Sequence, residues 1–220
     1  MNPPITDYLA LGRQLRCPEG TLAQEIGDYL FVSNRNMIEK TIDTLALAQD
    51  DHVLEIGFGN GKHLPYLFCK AKDIHYTGVE LSAEMIRQAK ANNNVFIRQK
   101  RAVFLKENTK ETLSFLPSSF HAYFSVNTYY FINDLKRHFQ QVYSYLIQGG
   151  KLCLGYIDKA FGERMPFTKE GFAFYSHKEL EDMLLSVGFT NFRVHSFTED
   201  IAGRGNRNIT RPFYVAMANK

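Results

Sequence analysis

The chain is predicted to fold as an α/β domain: a doubly wound, mostly parallel sheet of seven strands with helices on both faces and a helical N-terminal extension. Three observations carry this. Short apolar strands alternate with amphipathic helices from Val53 to Ala218. The first strand, Val53–Ile56, runs directly into Gly57-x-Gly59-x-Gly61, and the second ends on an acid, Glu80, 23 residues after Gly57.

Residues 1–20 read as irregular, broken by Pro3, Pro4, Gly12, Pro18 and Gly20. A helix begins at Thr21, where Leu22, Ile26, Tyr29 and Leu30 recur at helical intervals. A second starts near Asn36, because Asn36-x-x-Glu39 has the form of a capping box ahead of Ile38, Ile42 and Leu45. After strand Val53–Ile56 a helix is expected from Gly61 to Ala71, with Pro65 tolerated in its first turn. Strand His75–Val79, helix Ala83–Ala91, strand Ala102–Leu105, a loop and strand Ala122–Val126 continue the alternation. Helix Leu135–Leu146 stops at Gly149-Gly150 ahead of strand Lys151–Tyr156. Helix His177–Val187 and strands Phe192–Phe197 and Phe213–Ala218 close the chain. Sheets of this kind bind ligands beyond the carboxyl ends of their strands.

Composition narrows the function classes. Hydrophobic residues make up 45% and charged residues 22%, close to globular averages, which argues against global disorder. No apolar run approaches about 18 residues, so no membrane-spanning helix is expected. The N-terminus has no basic-then-apolar leader pattern. Three widely spaced cysteines (Cys17, Cys69, Cys153) point to reduced thiols and a cytoplasmic protein. Seven histidines show no ligand spacing, so no metal site is expected. Residues 1–100 hold 11 Lys/Arg against 12 Asp/Glu, and residues 101–220 hold 15 against 11. That asymmetry is too mild for a dedicated nucleic-acid surface. The 18 Phe and 12 Tyr, with no Trp, are the compositional oddity.

The glycine loop joins a strand to a helix, where bare backbone and helix N–H groups can meet a ligand. It is not the dinucleotide fingerprint, whose third glycine falls one position later, at Lys62 here. It lacks the Gly-Lys-Ser/Thr ending of a P-loop. A carboxylate at Glu80 suits a pair of vicinal ribose hydroxyls; its other reading is a cap on the next helix.

On these residues the chain resembles the class I S-adenosylmethionine-dependent methyltransferases. Val53–Gly61 matches their first motif and Glu80 their second-strand acid. Gly149-Gly150-Lys151-Leu152 matches the turn before their fifth strand, and Leu180–Phe189 their late helix and Gly-Phe. The likeness covers about residues 45–200 and is nearest the small-molecule, ubiquinone- and menaquinone-biosynthesis type. It implies a Rossmann-like seven-stranded sheet whose last strand runs antiparallel, S-adenosyl-L-methionine as cofactor, and a single domain over 1–220. Within that domain, 1–48 would be an N-terminal lid, 49–158 the cofactor core, and 159–220 a substrate lid with the closing strands.

The resemblance also implies roles. Glu55, Gly57, Phe58, Gly59, Asn60 and Gly61 would surround the methionine moiety, Glu80 would hold the ribose, and Leu81 and Met85 would flank the adenine. Asn108, with Thr109 beside it, takes the place of the usual acid near the adenine amino group; an amide still accepts there, without charge. Asn127 would face methionine and substrate, and Arg16 would pair with the methionine carboxylate or a substrate acid. His121 departs from the family pattern and receives no role.

The exit of the fourth strand reads Asn127-Thr128-Tyr129-Tyr130, without the prolines of the enzymes that methylate adenine or glutamine amino groups. Tyr8 and Tyr29 in the N-terminal lid, Tyr129 and Tyr130, and Phe161, Met165, Phe167 and Phe172 of the aperiodic run Phe161–Tyr175 are the expected substrate-binding residues. The alternative for that run is a satellite cluster packed under a loop. Arg204, Arg207 and Arg211 read as solvated loop charges. The expected reaction is methyl transfer to a small, apolar or aromatic acceptor by in-line displacement, with no nucleic-acid partner. The rivals are an RNA or protein methyltransferase, and a cofactor-binding regulatory domain without catalysis.

Overall fold

The computed structural model describes residues 7–106, 115–202 and 208–220. Its helices are α1 (Tyr8–Arg16), α2 (Ala23–Leu45), α3 (Leu64–Phe68), α4 (Ala83–Asn92), α5 (Asn94–Arg98), α6 (Leu135–Tyr145), α7 (Lys159–Arg164) and α8 (His177–Val187). Its strands are β1 (His52–Ile56), β2 (His75–Glu80), β3 (Ala102–Lys106), β4 (Phe120–Val126), β5 (Leu146–Ile157), β6 (Thr190–Ala202) and β7 (Asn208–Asn219). They form one seven-stranded sheet in the order β3-β2-β1-β4-β5-β7-β6. Pairings from β3 through to β5 are parallel, and β7 runs antiparallel to both β5 and β6. The expected fold class is therefore the observed one.

Alternation along the strands sorts the core into two layers. Val53, Ala122, Phe124 and Cys153 face a layer completed by Ile42, Leu64, Phe68 and Ile86. Leu54, Tyr123, Leu152 and Leu154 face the other, completed by Phe139, Val142, Leu180 and Leu184. Residues two apart on a strand share a face, so each strand feeds both layers. The strand order reverses between β1 and β4, and the crevice beyond their carboxyl ends is the place for a ligand.

Several boundaries differ from the sequence reading. The N-terminal segment is not irregular throughout: Asp7 caps α1, its carboxylate accepting N–H from Leu9 at 2.9 Å and from Ala10 at 3.4 Å. Gly12 does not break α1. It lets the helix sit on the 3-10 turn Pro166–Thr168, where a Cβ would lie 2.5 Å from the Phe167 carbonyl oxygen. The two expected helices are one 23-residue helix, α2, because Asn36 is not a cap. Its amide donates to Glu199 across the fold (2.9 Å), while Glu39 accepts from Arg35 one turn earlier (2.8 Å). The expected helix from Gly61 shrinks to Leu64–Phe68, since the glycine loop stays open until His63. Helix α6 ends at Tyr145, and Gly149-Gly150 lies inside β5 as an irregularity in its pairing with β4. Helix α5 was not expected, and β6 and β7 extend well past the predicted strands.

Candidate functional site

A cavity of about 300 Å³ opens at the carboxyl ends of β1, β2 and β4, roofed by α1, the following loop and α2. The glycine loop forms its floor. Gly57, Gly59 and Gly61 all have positive φ (81°, 59° and 66°). At Gly59 a Cβ would meet nothing within 4 Å, so bare backbone faces the cavity; at Gly57 it would strike the Thr128 hydroxyl at 2.3 Å. The loop closes onto the second-strand acid, the Gly59 N–H donating to Glu80 Oε2 at 3.0 Å. Glu80 Oε1 accepts the N–H groups of Leu81 (2.8 Å) and Ser82 (3.0 Å), and the residue is buried. One carboxylate thus fixes both the loop and the first turn before α4. The same side chain caps this turn and lines the cavity.

Beneath the loop, Glu55 is almost fully buried. Tyr76 donates to its Oε2 at 2.6 Å and His63 Nε2 lies 2.8 Å from the same oxygen. Burial, and then the nearby Glu55 charge, hold the Tyr76 phenol well above its ordinary range, so it remains a donor. The roof is tied down from above. Asn60 donates to Asp28 of α2 at 3.0 Å, Lys62 pairs with the same carboxylate at 2.6 Å, and the Ser82 hydroxyl donates to the Pro18 carbonyl.

The structure brings together on this cavity Arg16, Glu55, Gly57, Phe58, Gly59, Asn60, Glu80, Leu81, Met85 and Asn127. Gly61 stands one step behind, where a Cβ would meet Ala89 and Asn93 of the α4 side at 2.9 and 2.8 Å. Asn108 and Thr109 lie outside the described residues. Asn127 occupies the left-handed region (φ 52°) at the exit of β4. Its N–H donates to the Gly155 carbonyl at 2.8 Å, its Oδ1 accepts from Ile157, and its Nδ2 donates to Asn34.

The expected substrate aromatics stand elsewhere. Tyr129 and Tyr130 are buried in the core layer of α6 and α8, Tyr129 against Tyr156 and Tyr175, and Tyr130 against Phe172 and Phe174. Phe161, Met165, Phe167 and Phe172 pack around that pair and α1 rather than on the cavity; Phe172 touches it through Phe131, ring to ring at 4.6 Å. This differs from the lid expectation, and the cluster is no separate satellite: Phe161 belongs to the main core layer, with Met165 and Phe172 packed against it. The 3-10 turn Tyr129–Phe131 is the cause: it turns both tyrosines inward and leaves Phe131 at the cavity. Tyr29 lines a separate groove against Glu199 and Asp200, and Tyr8 is an exposed residue of α1.

Residues that sequence reading missed include Phe31, Asn34, Phe131, Ile132 and His138, all lining the cavity. Burial pushes the His138 imidazole down to about 4, and its Nε2 lies 3.0 Å from the Tyr123 hydroxyl. His121 stands far from the cavity, its Nδ1 accepting the His52 N–H at the first residue of β1. Arg211 is no solvated loop charge. It is buried in β7 and paired with Glu199.

Comparison with known proteins agrees with this geometry. The model of a family described as a methyltransferase domain matches residues 54–154. A Bacillus subtilis (strain 168) protein, the uncharacterized methyltransferase YdaC, is 30% identical over 129 residues, which is 58% of this chain and 68% of that one. Among solved structures, a Thermotoga maritima SAM-dependent methyltransferase superposes with a TM-score of 0.63 at 24% identity, covering 90% of this chain and 98% of its own. A Haemonchus contortus phosphoethanolamine N-methyltransferase, solved with S-adenosylhomocysteine, gives 0.68 at 15% identity over 99% and 61%. The glycine loop closed on Glu80 and these relatives lead to one conclusion: the chain belongs to the class I S-adenosylmethionine-dependent methyltransferases, and S-adenosylmethionine is its cofactor.

Proposed function

We propose that this enzyme methylates a small, apolar or aromatic molecule. The observation that carries the reading is the lining of the cavity half beyond the end of β4, where Phe31, Ile38, Val126, Phe131 and Ile132 supply apolar surface interspersed with Asn34, Asn127, Thr128, Asn133 and His138. These residues take the place of the aromatics read from sequence. Such a surface would hold an acceptor by burial and exclude water from it.

The cofactor's residues fit the same reading. Glu80 would receive the ribose hydroxyls while keeping the loop closed, Leu81 and Met85 would flank the adenine, and the glycine backbone with Glu55 would face the methionine end. Arg16, exposed at the cavity rim, would meet its carboxylate. When bound, the cofactor supplies an activated methyl that the acceptor takes by in-line displacement. What the chain must add is alignment of the acceptor and a dry site.

The test is transfer from methyl-tritiated S-adenosylmethionine into a cell extract split into small-molecule, RNA and protein fractions. Label in the small-molecule fraction is the expected result. Label confined to RNA, with strong salt dependence, or to protein would replace this reading with one of its rivals, and no label anywhere would favour a regulatory domain.

A further inference from the structure

A buried charge on β7 has no part in holding the cofactor, yet it reaches the cavity wall. Arg211, 6% exposed, donates to Glu199 of β6 through Nε at 3.0 Å and through Nη2, and also to the Ser33 carbonyl of α2. Its Nη1 donates to Asn34 Oδ1 at 3.2 Å. A guanidinium only donates, so the amide atom facing it must be the oxygen. The same oxygen accepts Asn127 Nδ2 at 2.9 Å, and Asn127 Oδ1 in turn accepts the Ile157 N–H at 3.3 Å. Arg211 donates on both sides, to Glu199 and to Asn34, while Asn127 donates to the same Asn34 oxygen and accepts from Ile157, so both amides are fixed in one orientation.

The consequence falls on Asn34 Nδ2. Asn34 lines the cavity, and its Nδ2 donates to no partner among the described residues, while its oxygen is doubly committed. Position decides what it would meet. Glu80 ends β2, the glycine loop follows β1, and Asn34 is held over the β4 and β5 ends by Asn127. Neighbouring strands lie about 4.8 Å apart, so Asn34 stands roughly 10 Å beyond Glu80 along the strand ends, past the ribose and towards the acceptor half.

We propose that Asn34 is a specificity-determining residue: its Nδ2 donates a hydrogen bond to a lone pair on the acceptor, a carbonyl, hydroxyl or ring-nitrogen acceptor carried on an otherwise apolar molecule. Arg211, Glu199 and Asn127 are its positioning residues. This rests on the small-molecule reading above. A site built around a fixed donor discriminates strongly against analogues that lack its partner atom, because the donor is then left unpaired.

The variant Asn34→Asp isolates the claim. Aspartate keeps an oxygen for Arg211 and Asn127 and replaces only the free donor with an acceptor. Two measurements are made on the full chain: calorimetric binding of S-adenosylhomocysteine, and tritium transfer into the small-molecule extract. The expected result is S-adenosylhomocysteine affinity within about threefold of the parent protein and transfer reduced at least about thirtyfold, the loss of one good hydrogen bond plus a buried repulsion. Asn34→Ala, which removes the donor without adding charge, should lose transfer about tenfold. Equal falls in affinity and transfer would place Asn34 on the cofactor and overturn the proposal, as would unchanged transfer in both variants. Absence of small-molecule labelling by the parent protein would instead remove the reading beneath it, and the proposal with it.

Discussion

Glu80 carries two tasks in one carboxylate, and a substitution reports on both. Its oxygens accept three backbone N–H groups, from Gly59, Leu81 and Ser82, and the ribose hydroxyls would add to that set. Hydrogen bonds to a charged group are worth about 1.5–3 kcal/mol each. Glu80→Ala should therefore weaken S-adenosylhomocysteine binding by about 2–3 kcal/mol, roughly 30–150-fold in Kd, and should also lower the unfolding free energy, because the same carboxylate holds the three backbone N–H groups. Calorimetric titration beside urea denaturation reads both quantities; normal binding in the variant would remove the ribose assignment. At this scale the cavity's loop and acid were legible because their signal is local: three glycines within five positions and one acid at a strand end. Asn34 and Arg211 were not, since each takes its meaning from a partner about 178 positions away. A faint trace of Arg211 does exist, for it alternates with Phe213 and Val215 at inward positions of β7, where a charge demands a partner.

The elements that the sequence misassigned are the ones that cross between layers or leave the sheet. Helix α2 runs unbroken because a long-range bond to Glu199 takes up Asn36 and a bond from Arg35 takes up Glu39, the pair that would otherwise have capped a second helix, and α1 survives Gly12 because a backbone packs against it. The β6–β7 hairpin extends past the point where β7 leaves β5 at Phe213, and Pro212, with no N–H to give, sits just beyond that last pair. What holds the extension to α2 is the buried Glu199–Arg211 pair, with side chains 10% and 8% exposed, reinforced by Asn36. Removing one partner of such a pair strands a buried charge and costs about 3–5 kcal/mol. Glu199→Ala should lose that amount in urea denaturation, whereas Glu199→Gln, which retains an acceptor, should lose less. A loss under about 1 kcal/mol in the alanine variant would mean that the hairpin is held by packing alone. The loosened variant should also lose methyl transfer before it loses S-adenosylhomocysteine binding, because the pair positions Asn34 and not the glycine loop.

Across the whole molecule, His52, His138 and His177 share a direction. Burial holds His138 down to about 4; burial, and then the charges of His75 and His121, lower His52; burial lowers His177 against the opposing pull of Asp158. Each is therefore neutral in the fold at a pH where the unfolded chain, with ordinary histidines near 6.5, already binds protons. Stability from these groups is fully present above about pH 6.5 and is lost as pH falls towards their folded values, because the unfolded state takes up more protons. His138 dominates, contributing roughly 2 kcal/mol of loss by pH 5 and at most about 3 kcal/mol by pH 4. For a domain of this size a loss of 2 kcal/mol lowers Tm by about 4–8 °C between pH 7 and pH 5. The lowered carboxylates, Asp43 and, at about 2, Glu84 and Glu179, act in the same direction but only below about pH 4.5, so the window between pH 7 and pH 5 belongs to histidine. His138→Gln cannot titrate and can still meet the Tyr123 hydroxyl, so its Tm should change markedly less over that window than the parent's. Parallel Tm profiles for the two proteins would show that the cavity-lining histidine protonates as readily in the fold as in the unfolded chain. The same comparison repeated with saturating S-adenosylhomocysteine should keep the difference between the proteins, since His138 lies on the cavity wall that α6 provides and not on the glycine loop or Glu80.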